Sequence, residues 1–326
     1  MTIPDEWIDP VRVALRETFG TDEAGSVVAV SGGLSGASVL RLTIDGRRYL
    51  LRLDPPVDGL ADPRRWLGCM LIAAEAGVAP RVHYANGNGV SIVDFVEQDP
   101  DRPYWSGDRD VLHARLGALL RRLHAAPEFP PLVGYLDGMA ALIENVAAAG
   151  LMPRSELSAP LAAFATLAGA YRALSPQLVP SHNDVNPRNL VFDGDRLWLV
   201  DWTAAFQADR FTDLASIASF MAQDEQGEAR LLAAYFGAPA TEAQRARMYL
   251  ARQINHMFYA MSLIATTGGV QPPRVRSLDD VHAALRAGKP IIDTAAGRAE
   301  YARARLAAMV AGVGAPRFEE ARRLAT

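Results

Sequence analysis

Between Ser181 and Trp202 the chain gathers the residue types that phosphoryl transfer needs. In Ser181-His-Asn-Asp-Val-Asn-Pro-Arg-Asn189, Asp184 is a carboxylate placed to take a proton from a hydroxyl, and Asn189 follows five positions later. A second carboxylate, Asp201, ends the apolar run Leu197-Trp-Leu-Val200. Phosphoryl transfer asks for a base that orients the nucleophile and for oxygen ligands that hold Mg²⁺ on the phosphates. Asp184 is the candidate base; Asn189 and Asp201 are the candidate metal ligands. His182 is also a possible base, but a carboxylate two residues away makes that role redundant. Its expected task is to bond backbone across the loop.

Two features upstream suit the other side of such a reaction. Ser31-Gly-Gly-Leu-Ser-Gly-Ala-Ser38 lies between two β-rich runs. Its glycines let backbone approach a phosphate, and free N–H groups with Ser35 and Ser38 could donate to its oxygens, which makes Ser35 and Gly36 candidate nucleotide-binding residues. Arg52 stands inside the apolar run Tyr49-Leu-Leu-Arg-Leu53. A half-buried cation needs a partner, and either a nucleotide phosphate or Asp54 serves, since residues two apart share a strand face.

The elements that must position these groups fall into two kinds. Val27–Val30, Val39–Ile44, Arg48–Leu53, Val82–Tyr84 and Val90–Val96 read as strands, with Asp45-Gly46 and Asn86-Gly-Asn-Gly89 as hairpin turns. Asp62-Pro63 opens a helix ending near Gly77. After Pro100 helical patterns take over: Val111–His124, Leu136–Ala149, Ala159–Leu174, Leu214–Met221, Thr241–Ala265 and Gly297–Val310. Only Leu190–Phe192 and Leu197–Val200, joined by Asp193-Gly-Asp, return to strand. The pattern predicts an α+β chain with a small β-rich lobe over 1–98, a larger, mainly helical lobe over 99–326, and a boundary near 97–103. Asp213 reads as an N-cap or a brace before its helix.

The 326 residues are half apolar, enough for a substantial core, and the net charge of −4 gives no reason to expect nucleic acid binding. One cysteine, Cys69, excludes an internal disulfide framework and fits a reducing compartment. The first residues lack the basic start and apolar run of a secretory signal, and no stretch has the roughly 18–20 apolar residues of a membrane span. A cytoplasmic protein without a membrane partner is expected.

Taken together these pieces resemble the aminoglycoside phosphotransferase / choline kinase family over roughly residues 25–225. His182-Asn-Asp184 with Asn189 is similar to the family's catalytic loop, and Leu199-Val-Asp201-Trp202 to the metal-binding segment that replaces Asp-Phe-Gly of protein kinases. Asp213-Leu-Ala215 and the helix Leu116–His124 also resemble family segments. The resemblance implies a bilobal protein-kinase-like fold and ATP- and Mg²⁺-dependent transfer to the hydroxyl of a small molecule. It further implies an adenine-facing hinge at Asp94, Phe95 and Val96, a phosphate cover at Ser31–Ser38, and Arg52 in place of the strand lysine. The helix that should hold a glutamate partner for that lysine carries only Glu75, near its end. The ion pair is therefore either absent or rebuilt with Asp54 or Asp62.

An acceptor of choline or amino alcohol type wants aromatic faces, for which Trp202, Phe206, Phe211, Tyr249, Phe258 and Tyr259 are candidates that serve equally as core. An aminoglycoside wants acids, for which Asp209, Asp213, Asp224, Glu225 and Glu228 are candidates. The alternatives are a catalytically weak nucleotide-binding or regulatory protein, motivated by Arg52 and the missing glutamate, and a non-enzymatic helical module, which leaves the catalytic loop unexplained.

Overall fold

The computed structural model describes residues 3–30, 37–56, 62–99, 108–130, 132–222 and 224–325. Two compact units emerge. One comprises Met1–Pro131, Val179–Gln207 and Ala234–Gly237; the other comprises Leu132–Leu178, Ala208–Ala233 and Ala238–Thr326. Ser35, Gly36 and the rest of 31–36 lie outside the described residues, as does the expected boundary segment beyond Asp99.

The first unit holds a five-stranded antiparallel sheet in the order β1-β2-β3-β5-β4: β1 Ser26–Ala29, β2 Ser38–Ile44, β3 Arg47–Leu53, β4 Val82–Ala85 and β5 Val90–Asp94. The turn between β2 and β3 has positive φ at both Asp45 and Gly46, a geometry whose twist suits a two-residue hairpin. Strand alternation sorts β3 into two faces. Tyr49, Leu51 and Leu53 are buried with Leu40, Leu42 and Ile92 against Val11 and Leu15 of α1 (Ile8–Phe19). Arg52 therefore falls on the opposite face. α2 (Pro63–Glu75) starts as its sequence predicts, with the Asp62 carboxylate accepting from Arg64 N–H at 2.9 Å and Pro63 in the first turn. α3 (Arg109–His124) completes this part.

The chain re-enters the same unit at β6 (Leu178–Ser181), and β6 pairs with β9 (Phe206–Asp209). Between these two strands lie the candidate catalytic loop and the hairpin of β7 (Leu190–Phe192) and β8 (Leu197–Leu199).

The second unit is helical: α4 (Tyr135–Ala148), α5 (Arg154–Arg172), α6 (Arg210–Met221), α7 (Glu225–Phe236), α8 (Glu242–Ile264), α9 (Leu278–Arg286), α10 (Ala295–Val313) and α11 (Pro316–Leu324). α8 is its axis. Leu250, Ile254, Met257 and Met261 are buried in one cluster with Leu306 and Met309 of α10 and Phe318 of α11. Thr241 and Gln244 form a reciprocal capping box at the start of α8.

Several expected boundaries move. α5 starts at Arg154 and runs through Pro160, whose ring made the segment before it look unhelical. β5 ends at Asp94. The cap of α6 is Asp209, whose carboxylate accepts from Phe211 N–H at 3.0 Å, while Asp213 is buried in the first turn. Among the described residues no helix is long and apolar enough to cross a membrane.

Candidate active site

The candidate catalytic loop is tied through its polar side chains to the β7–β8 hairpin and to the segment that returns toward β9. His182 is buried; its Nε2 donates to the Val200 carbonyl at 3.0 Å and its Nδ1 accepts from Asp184 N–H at 3.3 Å. Those bonds place the ring proton on Nε2 and commit both nitrogens to backbone. Trp202 stands edge-on to the ring at 4.7 Å. Asn183, in the left-handed region at φ 63°, donates from Nδ2 to the carbonyls of Ala204 at 3.1 Å and Phe206 at 3.2 Å. Asparagine tolerates that backbone, and its amide ties the loop to the segment returning toward β9.

Asp184 is half-buried, and two side-chain amides hold its carboxylate. Asn186 Nδ2 donates to Oδ1 at 2.9 Å and Asn189 Nδ2 to Oδ2 at 3.0 Å. A carboxylate oxygen accepts more than one hydrogen bond, so these amides do not by themselves rule out a substrate proton. Asn189 Nδ2 also donates to the Asp184 carbonyl at 2.9 Å, so both of its partners are acceptors and its own Oδ1 is the oxygen available to a cation.

Hairpin register brings the two candidate ligands together. Leu190 pairs with Leu199, and Val200 N–H donates to the Asn189 carbonyl at 3.0 Å. Asn189 and Asp201 therefore flank one end of the same two-stranded ladder. Asp201 has φ 61° and Thr203 Oγ1 donates to its Oδ1. From α2, the Arg65 guanidinium donates to the carbonyls of Thr203 and Ala205, which fixes the turn after Asp201. Cys69 packs its Sγ against the Ala205 carbonyl at 3.6 Å; burial pushes this thiol up to about 11, so it stays protonated.

Arg52 reaches the same end of the hairpin. Its Nη1 lies 3.4 Å from Asp201 Oδ1, while its Nε donates to both carboxylate oxygens of Asp54, at 3.0 and 2.9 Å. The Trp66 ring of α2 lies 4.8 Å from the guanidinium carbon. Burial works against the charge, but the Asp54 bond and the charges of Asp54 and Asp201 outweigh it and hold the Arg52 pKa above its ordinary value. Its Nη2 is buried and has no hydrogen-bond partner among the described residues. Asp62, the other carboxylate considered for Arg52, instead pairs with Arg64 at 2.8 Å.

The expected hinge closes β5. Asp94 accepts from His83 Nε2 at 2.7 Å, Phe95 N–H donates to the Arg48 carbonyl at 3.3 Å, and Val96 follows. Asp94 pairs with Tyr49 and Arg52 with Ser91, three positions apart on neighbouring strands. The residues that sequence reasoning overlooked are Asn186, Thr203, Arg65 and Trp66. Only Asn186, inside the polar loop, carried a visible signal; the others act through tertiary contact.

In the second unit, the candidate acceptor groups are mostly committed elsewhere. Tyr259 faces Arg305 at 4.7 Å, Tyr249 faces Arg317 at 5.1 Å, and Phe258 packs on Tyr135 at 6.0 Å. Asp224 caps Gly227 N–H, Glu225 pairs with Arg317 and Glu228 with Arg252. Trp202 and Phe206 in the first unit and Phe211 in the second are core.

The donor set fits the groups that such a site would take. Mg²⁺ is usually held by one or two protein oxygen ligands plus substrate phosphates. Asn189 Oδ1 and the Asp201 carboxylate provide such a pair, and among the described residues no denser His, Cys, Asp or Glu cluster competes. The partnerless Arg52 Nη2 is a donor suited to a phosphate oxygen.

Comparison with known proteins bears on the whole chain. The profile of the Phosphotransferase enzyme family matches residues 26–250. A choline/ethanolamine kinase family protein from Mesorhizobium loti is similar in structure, with a TM-score of 0.69 and 20% identity over 97% of this chain and 98% of that one. The choline kinase LicA from Streptococcus pneumoniae gives 0.62 and 14% over 93% and 100%. An ADP-bound aminoglycoside phosphotransferase, APH(2'')-Ib, gives 0.59 and 14% over 81% and 91%. A search of curated proteins finds no match.

Proposed function

Because the chain belongs to the phosphotransferase enzyme family and has the protein-kinase-like fold, we propose that it transfers the γ-phosphoryl group of ATP to the hydroxyl of a small acceptor. The observation that carries this reading is the pair of amides, Asn186 and Asn189, that aim the Asp184 carboxylate. Asp184 takes the proton of the acceptor hydroxyl as that oxygen bonds to phosphorus, and the bond to the bridging oxygen breaks to leave ADP. Arg52 binds the nucleotide phosphates through the Nη end of its guanidinium. Asn189 and Asp201 would hold Mg²⁺, which when bound neutralises charge on the phosphates. Asp94–Val96 meet the adenine, and Ser35 and Gly36 cover the phosphates.

The acceptor is of choline or amino alcohol type, with an aminoglycoside as second choice. The likeness to the choline/ethanolamine kinase family protein spans nearly all of both chains, and His182-Asn-Asp184 with Asp201-Trp202 resembles that branch. The catalytically weak alternative drew on Arg52 and on the missing helix glutamate; the pairing of Arg52 with Asp54 weighs against it.

Two measurements test the proposal. Saturating ATP with Mg²⁺ raises the melting temperature by a few degrees, as mass action requires of a bound ligand. Incubation with amino alcohols, aminoglycosides, sugars and thiamine-like alcohols then yields one phosphorylated product class. Absence of thermal stabilisation overturns nucleotide binding, and binding without product across the panel moves support to the catalytically weak reading.

A further inference from the structure

We propose that Asp54 is the positioning residue that sets Arg52 for nucleotide phosphate, so that the phosphate grip is built within one strand end instead of between a strand and a helix carboxylate. The inference rests on the kinase reading above. The spacing comes first: residues 52 and 54 share a strand face, and the Asp54 carboxylate occupies the Nε edge of Arg52 with both oxygens at 2.9–3.0 Å. Only 13% of the Arg52 side chain and 8% of the Asp54 side chain are exposed, so water screens the pair weakly.

Asp54 is itself fixed. Its N–H donates to the Gly89 carbonyl at 2.8 Å, and a Cβ at Gly89 would stand 2.0 Å from the Asp54 carbonyl oxygen. α2 contributes Trp66 at the position facing the guanidinium, an aromatic face that fixes the plane of the group without taking any of its donors. With the Nε edge filled and the plane set, the Nη end points at Asp201 with Nη2 left over. Asp54 also balances the pull of Asp201. Without it, Arg52 is drawn onto a residue that the proposed reading needs as a metal ligand.

The test compares binding of ADP and of adenosine, each with Mg²⁺, by titration calorimetry. Asp54→Asn is expected to weaken ADP about tenfold or more, the scale of one charge-assisted bond, while adenosine affinity stays unchanged. Asp54→Glu is expected to recover most of the loss, and the Mg²⁺ concentration for half-maximal ADP binding is expected to rise in Asp54→Asn. Arg52→Met and the double variant Arg52→Met with Asp54→Asn are expected to bind ADP equally weakly. That pair keeps the test alive if Asp54→Asn fails to fold. Unchanged ADP affinity in Asp54→Asn, parallel loss of ADP and adenosine, or a further loss in the double variant overturns the proposal. A wild-type protein that binds neither ligand overturns the kinase reading with it, which is distinct from a failure confined to the variants.

Discussion

Asn189 spends its side-chain amide on Asp184 twice, at the backbone carbonyl and at Oδ2, both within 3.0 Å. One residue thus orients the candidate base through its nitrogen, while its oxygen is the candidate metal ligand. On the proposed reading, proton removal and cation binding would be coupled through this single side chain.

Asp184→Asn is nearly isosteric but removes the candidate proton acceptor and sets an amide donor against one of the two amides that hold it. Turnover is expected to fall by about 10²–10⁴-fold, the usual contribution of a general base, with ADP affinity held within about twofold. Steady-state kinetics beside calorimetry check this. Full activity in the variant would remove Asp184 from the chemistry.

Gly89→Ala brings two faults at once. Gly89 has φ 95°, and the added Cβ meets the Asp54 backbone at 2.0 Å. We expect a loss of at least ~2 kcal/mol in urea unfolding. A silent substitution would mean that this turn relaxes freely.

Acid should destabilise the helical unit through two histidines. Burial, then the charges of Arg305 and Arg286, depress His282 to about 3; burial with Arg305, Arg252 and His282 holds His256 well below its ordinary value. Both are neutral in the folded protein, whereas the unfolded chain binds protons below about pH 6.5. Stability is therefore fully present above that pH and declines as pH falls toward 3. The slope is about 1.4 kcal/mol per unit for each group while it lasts. Urea midpoints from pH 7 to pH 4 read it out, and His282→Gln should flatten the curve; an unchanged slope would contradict the assignment.

Local chemistry made much of this molecule legible. Asp45-Gly46 announces its hairpin because few residue types accept positive φ twice, and Asp62-Pro63 announces α2 because it satisfies a helix start. The polar loop from His182 to Asn189 stands out because its partners are close in sequence. What stayed hidden depends on distant neighbours. Trp66 looks like ordinary helix core until β3 places Arg52 beside it. Thr203 reads as a loop residue until the turn folds its hydroxyl onto Asp201. α1 and α9 are short and amphipathic, stabilised chiefly by what they pack against, and β6 and β9 are only four residues each.

The loop bonds within its own short stretch of chain: His182 to Val200, Asn183 to Ala204 and Phe206, Asn189 to Asp184 and Val200. Such closure has an evolutionary consequence. Substitutions in the helices of the second unit replace none of these partners, all of which lie in the first. Insertions or deletions are different. One residue gained or lost between Asp193 and Arg196 shifts the pairing that sets Asn189 beside Val200, which makes that turn the place where length variation should be rarest among descendants of this chain.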